Sequence, residues 1–477
     1  MKSNKKMHKN QLAFKGGSYS LAVTAVVLAI IIAVNIFAST LPTTLTKYDI
    51  SSSKLYSITS NTKVVVNNLQ QDVTIYWIVQ ADQEDDVIEN LLGKYESLSD
   101  HIDVVKKNPD VFPTFTEQYT SEDVPNNSLI VESGERSRYI SYDDIYLAES
   151  DMYSYSYTTS FDGEGAITSA IDYVVTEELP QVYVLEGHGE TELPSTFADS
   201  IEKENMEVNS LSLLTTKEVP EEADAVLIYN PQSDISEEEA DMLGEYAKNG
   251  GKLLVMSGPV EDGELTNLNS VLEDYNISVA EGIVVEGDSN YYAFGYPYVL
   301  MPEMASSEIT DTLINENYYA IMPLSQGLQV GMNSTGTVTE LLTTSYDAFS
   351  KVAGFELETY EKEDGDIDGP FTLGVSIETS GAGQIIWYSA SDFLNDMYNA
   401  YSSGANVDLA MNSLSSLIGE REAIAIRSKS LNYNYLTITD STSSTLKTLM
   451  IGVFPLTYLG IGIFIIMRKR GKQNEAI

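Results

Sequence analysis

The segment VYVLEGHGE, residues 182–190, sets His188 between two glycines at the end of a β-branched run, with Glu186 and Glu190 two positions to either side. An imidazole beside carboxylates is the donor set of a zinc or manganese site, and equally the pairing of a general base with its orienting acid. Alternate residues share one face only while an extended strand lasts, however, and Gly187 and Gly189 are residues at which strands end. Three readings follow. The segment is a structural turn first, a ligand or partner contact made by Gly187, His188, Gly189 and Glu190 second, and a catalytic or metal site last. The chain has 3 histidines. His101 falls in a different expected domain, so no two-histidine metal pair is predicted.

A second pattern is DGDIDG, residues 364–369. Asp364, Asp366, Asp368 and Gly369 occupy positions 1, 3, 5 and 6 of a calcium loop. Position 12, where a bidentate glutamate belongs, is Val375, and strands rather than helices flank the segment. An acidic solvent turn is the preferred reading, with weak calcium binding by Asp364, Asp366 and Asp368 as the alternative.

Other chemistries lack their residues. There is no cysteine, hence no thiolate nucleophile, thiolate metal site or disulfide. Ser257 in VMSGP follows an apolar run, but Val255 stands where a nucleophile elbow requires its first glycine. NGGKLL is no phosphate-binding loop, because Tyr246 and Leu253 replace its first glycine and its hydroxyl residue. No cofactor is expected, and an ATPase would have to be a separate chain. With 71 acidic against 27 basic residues and a net charge of −44, nucleic acid is excluded as a partner.

The basic residues gather at the two ends. Lys2, Lys5, Lys6, Lys9 and Lys15 precede the uncharged run LAVTAVVLAIIIAVNIFA, and Arg468, Lys469, Arg470 and Lys472 follow the uncharged run 448–467. Two membrane spans, at 18–41 and 447–467, are predicted from this pattern. Basic flanks mark the cytoplasmic side, so the tails 1–17 and 468–477 are expected inside and the residues between the spans outside. A cleaved signal peptide is the rival for the first run, although its apolar core exceeds the usual length. Gly452, Gly460 and Gly462 would let the second run approach another helix.

Between these runs the periodicity is that of two α/β domains. Strand 72–79, helix 84–99, strand 101–107 and a hairpin over 128–140 follow the element order of a thioredoxin-like domain, residues 42–150. The tyrosine- and serine-rich stretch 151–165 reads as an exposed strand or loop, with an aromatic sugar platform as the alternative. With the helix 166–179, which Pro180 stops, it forms a connector. From 180 to 425, strands at 181–187, 207–213, 223–231 and 252–258 alternate with helices at 194–204 and 236–251, which predicts a parallel sheet covered on both faces. Ser236 with Glu239 is a capping box for the second helix. Residues 285–368 read as an insertion. Strands 370–378 and 383–391 and a closing helix 406–420 follow, and 426–446 is an expected stalk.

Four stretches occur in one order: DISSSKLYSITSNTKVVVNNL, then VYVLEGHGE, then ADAVLIYNPQSDISEEEADMLGEYAKNGGKLLVMSGP, then GQIIWYSASDFLND with NVDLAMNSLSSL. Together they resemble the GldG family of gliding-motility-type ABC transporter auxiliary proteins over nearly the whole chain. The resemblance implies a larger domain like class I glutamine amidotransferases (flavodoxin-like), here without the catalytic cysteine. It also implies a non-enzymatic subunit that accompanies an ABC-2-type permease and a separate P-loop ATPase, with an extracytoplasmic domain that contacts substrate or a partner. The alternatives are a membrane-anchored hydrolase or metalloenzyme using His188, and an envelope scaffold protein. Residues 285–368 carry no part of the resemblance, and nothing in the sequence names a cargo.

Overall fold

The computed structural model describes residues 23–37, 55–151, 156–332, 335–419, 426–431 and 447–474. Residues 1–149 and 160–429 form one compact unit, and 150–159 with 430–477 a second.

The first unit contains a four-stranded sheet from β1 (Val73–Ile78), β2 (Ile102–Lys107), β3 (Ser128–Ser133) and β4 (Arg136–Ile140), in the order β2-β1-β3-β4. β1 and β2 are parallel, joined through helix α2 (Asp86–Leu98), while β3 and β4 form the hairpin with Gly134 at φ +59° in its turn. Asp85 caps α2 by accepting from the N–H groups of Val87 and Ile88. The connector helix, α3 (Gly163–Val175), begins three residues before its expected start and packs on β3, β4 and the short helix α1 (Ser60–Asn67). It therefore belongs to this layer, not to a linker. Periodicity hides the early start because Gly163 sits under the Phe161 ring, where a Cβ would come within 2.5 Å of it.

The larger sheet is built around β5 (Gln181–Leu185), β6 (Glu207–Leu211), β7 (Ala225–Tyr229), β8 (Lys252–Met256), β9 (Ile277–Val279), β10 (Leu328–Val330), β11 (Thr337–Thr343), β12 (Thr372–Glu378) and β13 (Gln384–Tyr388). Its order is β9-β10-β12-β13-β8-β7-β5-β6, and β11 also pairs with β12. The run β6-β5-β7-β8-β13 is parallel throughout. Counted along the chain this is the order 2-1-3-4-5 of the flavodoxin-like doubly wound sheets. The other strands are antiparallel additions. Residues 285–368, read as an insertion, divide: β10 and β11 join the main sheet, while 299–300 with 322–323, and 349–351 with 283–285 and 367–368, form two small sheets of their own.

Burial on both faces explains the apolar strands. Along β7, Ala225, Leu227 and Tyr229 face one core, with helices α4 (Ser195–Lys203) and α7 (Ala405–Ile418). Val226 and Ile228 face the other, with α5 (Glu237–Lys248) and α6 (Thr266–Glu273). The capping box at the start of α5 is present as predicted, with Ser236 and Glu239 exchanging side-chain to backbone bonds. Ser236→Ala is expected to lower the unfolding free energy by about 1 kcal/mol, read from the urea midpoint at unchanged slope.

The two-span expectation meets a different result. Among the described residues no helix is long and apolar enough to cross a membrane. The first run is helical over its described residues, 23–37, every one of them exposed. In the second run, helix α8 (Phe454–Asn474) ends in the basic residues from Arg468 onward, and Thr448–Val453 before it has π-helical spacing. Pro455 accounts for the wider turn, because it lacks an N–H and its ring crowds the carbonyl four residues earlier. The tails 1–17 and 475–477, the flanks 18–22 and 38–54, and most of the expected stalk, 432–446, lie outside the described residues.

Candidate functional site

In an open α/β sheet the ligand crevice lies at the carboxyl ends of the strands, where the order reverses. Here that point is between β5 and β7, and the loop after β5 is Glu186–Pro194 with His188 in it. Gly187 and Gly189 adopt φ +128° and +76°, the left-handed region that a side chain resists. They turn the chain so that His188 points inward; it is 5% exposed.

Its two ring nitrogens are both engaged. Nδ1 lies 3.0 Å from Glu190 Oε1, and Nε2 3.2 Å from Glu239 Oε2 on α5. Both contacts are donor–acceptor pairs when each nitrogen carries a hydrogen. The other Glu190 oxygen accepts the N–H groups of Gly187 and His188 at 3.0 and 2.7 Å. Glu239 Oε2 also accepts from the Ser236 N–H and hydroxyl. Burial pushes the Glu239 carboxyl up, but the Ser236 donors and the imidazole outweigh it and hold the group below its ordinary value. The His188 carbonyl accepts from the N–H groups of Gln232 and Ser233 and from the Ser233 hydroxyl. The loops after β5 and β7 are therefore stitched across the crevice.

The chemical consequence is direct. A general base or metal ligand needs a free nitrogen lone pair, and neither ring nitrogen presents one to solvent. Glu186 does not join the imidazole; it accepts from the Ser210 hydroxyl. Of the sequence-predicted contact residues, Gly187, Gly189 and Glu190 line an open groove of about 520 Å³ with Glu186, Glu192 and Val208. His188 is not on that surface. Sequence reasoning missed Glu239 as the imidazole's partner, having read it only as a helix cap.

Beside this loop the carboxyl ends of β7 and β13 carry a second satisfied network. Asn230 Oδ1 accepts from Ser391 and Gln232, and its amide donates to Thr191. Ser257, the residue in the nucleophile-like VMSGP, is buried. The segment 322–326 lies alongside, with Gln326 and Ser389 exchanging bonds at 2.8 and 2.6 Å. A Cβ on Gly258 would already touch the Leu324 carbonyl.

The calcium reading is corrected by a lysine. Lys351 is 0% exposed, and its ammonium reaches Glu363 Oε2 at 2.6 Å, Asp366 Oδ2 at 2.9 Å and the Glu361 carbonyl at 3.0 Å. Three N–H bonds meet three acceptors, so the protein's own cation fills the turn. Asp368 pairs with Lys362, and Asp364 is exposed. The three aspartates do not converge. Among the described residues no group of three or more histidine, aspartate or glutamate side chains is placed to hold a metal.

The fold and the filled crevice define an α/β domain of the doubly wound class. Residues 179–413 match the family described as an ABC-type uncharacterized transport system, and residues 52–147 match a domain of unknown function. The first match supports an ABC transporter auxiliary protein. No curated protein matches the sequence. Among solved structures, the mmIFT52 N-terminal domain is 18% identical, with a TM-score of 0.37, 50% of this chain and 98% of that chain covered. A glutamine amidotransferase from Thermotoga maritima is 10% identical, with a TM-score of 0.29, 51% of this chain and all of that chain covered.

Proposed function

We propose that this chain is a non-enzymatic auxiliary subunit of an ABC-2-type transporter, of the GldG type. The apolar residues near its two ends would attach it to the membrane and to a multi-span permease. Both basic tails would face the cytoplasm, the α/β unit would lie outside the cell, and a separate P-loop ATPase would supply the energy. The match over 179–413 is the observation that carries this reading. Two others support it. Both nitrogens of His188 are occupied by carboxylates, which removes the best enzymatic candidate. The side chains of residues 23–37 and the large apolar side chains between Leu449 and Phe464 are exposed, surface that water disfavours and lipid or another apolar helix would cover.

The test is purification of the full-length protein from its own membranes in mild detergent. Near-stoichiometric recovery of a multi-span permease and a P-loop ATPase is the expected result. Recovery of the protein alone, under conditions that keep other transporters assembled, would overturn the reading.

A further inference from the structure

An aromatic surface lies beside the carboxyl end of β13. Three separate segments supply it: Phe294, Tyr296 and Tyr298 from one loop, Tyr360 from a second, and Tyr398 and Tyr401 from the short helix Asp396–Tyr401. Phe294 and Tyr401 have ring centroids 4.6 Å apart, Tyr296 and Tyr298 5.7 Å, and Tyr298 and Tyr360 5.6 Å. Tyr298 and Tyr398 are anchored on a small core of Ala293, Val299 and Ile321. The outer rings stay in solvent, with Phe294, Tyr296 and Tyr401 between 51% and 54% exposed and Tyr360 at 41%.

Several features distinguish this surface from stray exposed aromatics. Phe294 sits at φ +58°, a conformation a bulky residue resists. No hydroxyl of Tyr296, Tyr298, Tyr360, Tyr398 or Tyr401 makes a hydrogen bond among the described residues. Elsewhere the chain's own cations cover its rings, as Arg427 covers Tyr318 at 3.8 Å. None lies over this set among the described residues.

The adjoining charge is negative. Asp396, which begins the helix, accepts from Ser195 and Thr196; burial opposes its ionisation, but these donors outweigh it and keep the carboxylate charged. Asp392, in the turn that follows β13, is half-buried, and burial pushes its carboxyl up; it lies near enough for its charge to act on Tyr398 and has no ion-pair partner among the described residues. Open ring faces beside carboxylates, on a chain of net charge −44, are complementary to a cation that can also stack.

We infer that Phe294, Tyr296, Tyr298, Tyr360 and Tyr401, with Asp392 and Asp396, form a docking surface for a basic, arginine-bearing segment of a protein partner. Guanidinium groups would lie over the ring faces while the two carboxylates hold the charge. Tyrosine-rich surfaces suit such contacts, because rigid amphipathic rings lose little side-chain entropy on binding. The inference stands independently of the transporter reading, and failure of either leaves the other intact.

The test uses the full-length protein in detergent at physiological ionic strength, titrated calorimetrically with a short arginine–glycine peptide. The same peptide with citrulline for arginine and a soluble chito-oligosaccharide serve as comparison ligands. The arginine peptide is expected to bind and the citrulline peptide not. Tyr296→Ala with Tyr401→Ala should weaken binding about tenfold, while Tyr296→Phe with Tyr401→Phe should leave it within about twofold. Both sites are half-exposed, so an unchanged unfolding midpoint separates lost contact from lost fold. Equal affinity in the alanine variant would reduce the effect to diffuse charge and overturn the proposal. So would the absence of peptide binding, or saccharide binding at these tyrosines without peptide binding.

Discussion

Replacing Lys351 by methionine is expected to lower the unfolding free energy by about 3 kcal/mol, read from the urea midpoint of the purified protein. Methionine keeps most of the apolar stem, so the loss isolates the charge. Removing one member of a buried ion pair leaves the other without compensation, and Asp366 is 6% exposed. The low end of the usual range applies because Glu363 is 58% exposed and keeps water close to the group. Asp366→Asn in the same background should recover part of the loss. The two carboxylate oxygens accept separately from the N–H groups of Glu363 and Val352, so the amide oxygen keeps one of these donors while the side chain no longer carries an unpaired charge.

The same cluster dictates a pH dependence. Burial opposes ionisation of Asp366, yet the N–H donors and Lys351 outweigh it and hold the carboxyl below its ordinary 3.8. A group depressed in the folded state contributes stability above its unfolded value and loses it as pH falls through the folded one. Burial likewise opposes the Lys351 charge, while Glu363 and Asp366 raise its pKa above 10.5. That contribution is present below about 10.4 and lost as pH rises through the folded value. The stability difference between wild type and Lys351→Met should therefore be flat at neutral pH and shrink below about pH 4, followed by thermal unfolding across the acid range. A difference that persists unchanged at pH 2 would show that packing, not charge, is what methionine removes. Added calcium should leave the wild-type midpoint where it is, since an ammonium occupies the turn.

The second large effect is expected at His188. His188→Ala removes the imidazole between Glu190 and Glu239, whose side chains are 7% and 2% exposed, and leaves two buried carboxylates facing a void. About 2–4 kcal/mol of stability should be lost, less than for an isolated charge because each carboxylate keeps backbone donors. His188→Gln, which can still donate to one carboxylate, should recover a measurable part. An enzyme built on this histidine would instead lose turnover with its unfolding midpoint intact. The two outcomes differ in kind, so one variant and one melting curve separate them.

Much of the architecture was legible locally. The double-faced apolar strands at 225–229 and 252–256, the Ser236–Glu239 cap and the glycines around His188 each announce themselves through neighbours a few residues away. The early start of α3 was not legible, because Asp162-Gly163-Glu164-Gly165 resembles a turn until Phe161 and Leu91 pack against its glycine. The joining of β10 and β11 to the main sheet was hidden for a related reason. Short antiparallel strands between irregular loops leave no period to count.

The sequence by itself determined the class of the fold, the turn that holds His188 and the absence of thiol chemistry. All three depend on composition or on spacings within one element. Only the tertiary structure decided what those residues meet. Strand order brings Glu239 to His188 across 51 positions of chain and leaves the imidazole no free nitrogen. It also places Lys351, where an apparent calcium loop called for a metal, and assembles one aromatic surface from three distant segments. Such contacts are set by which strands and loops become neighbours, and no local periodicity encodes that choice.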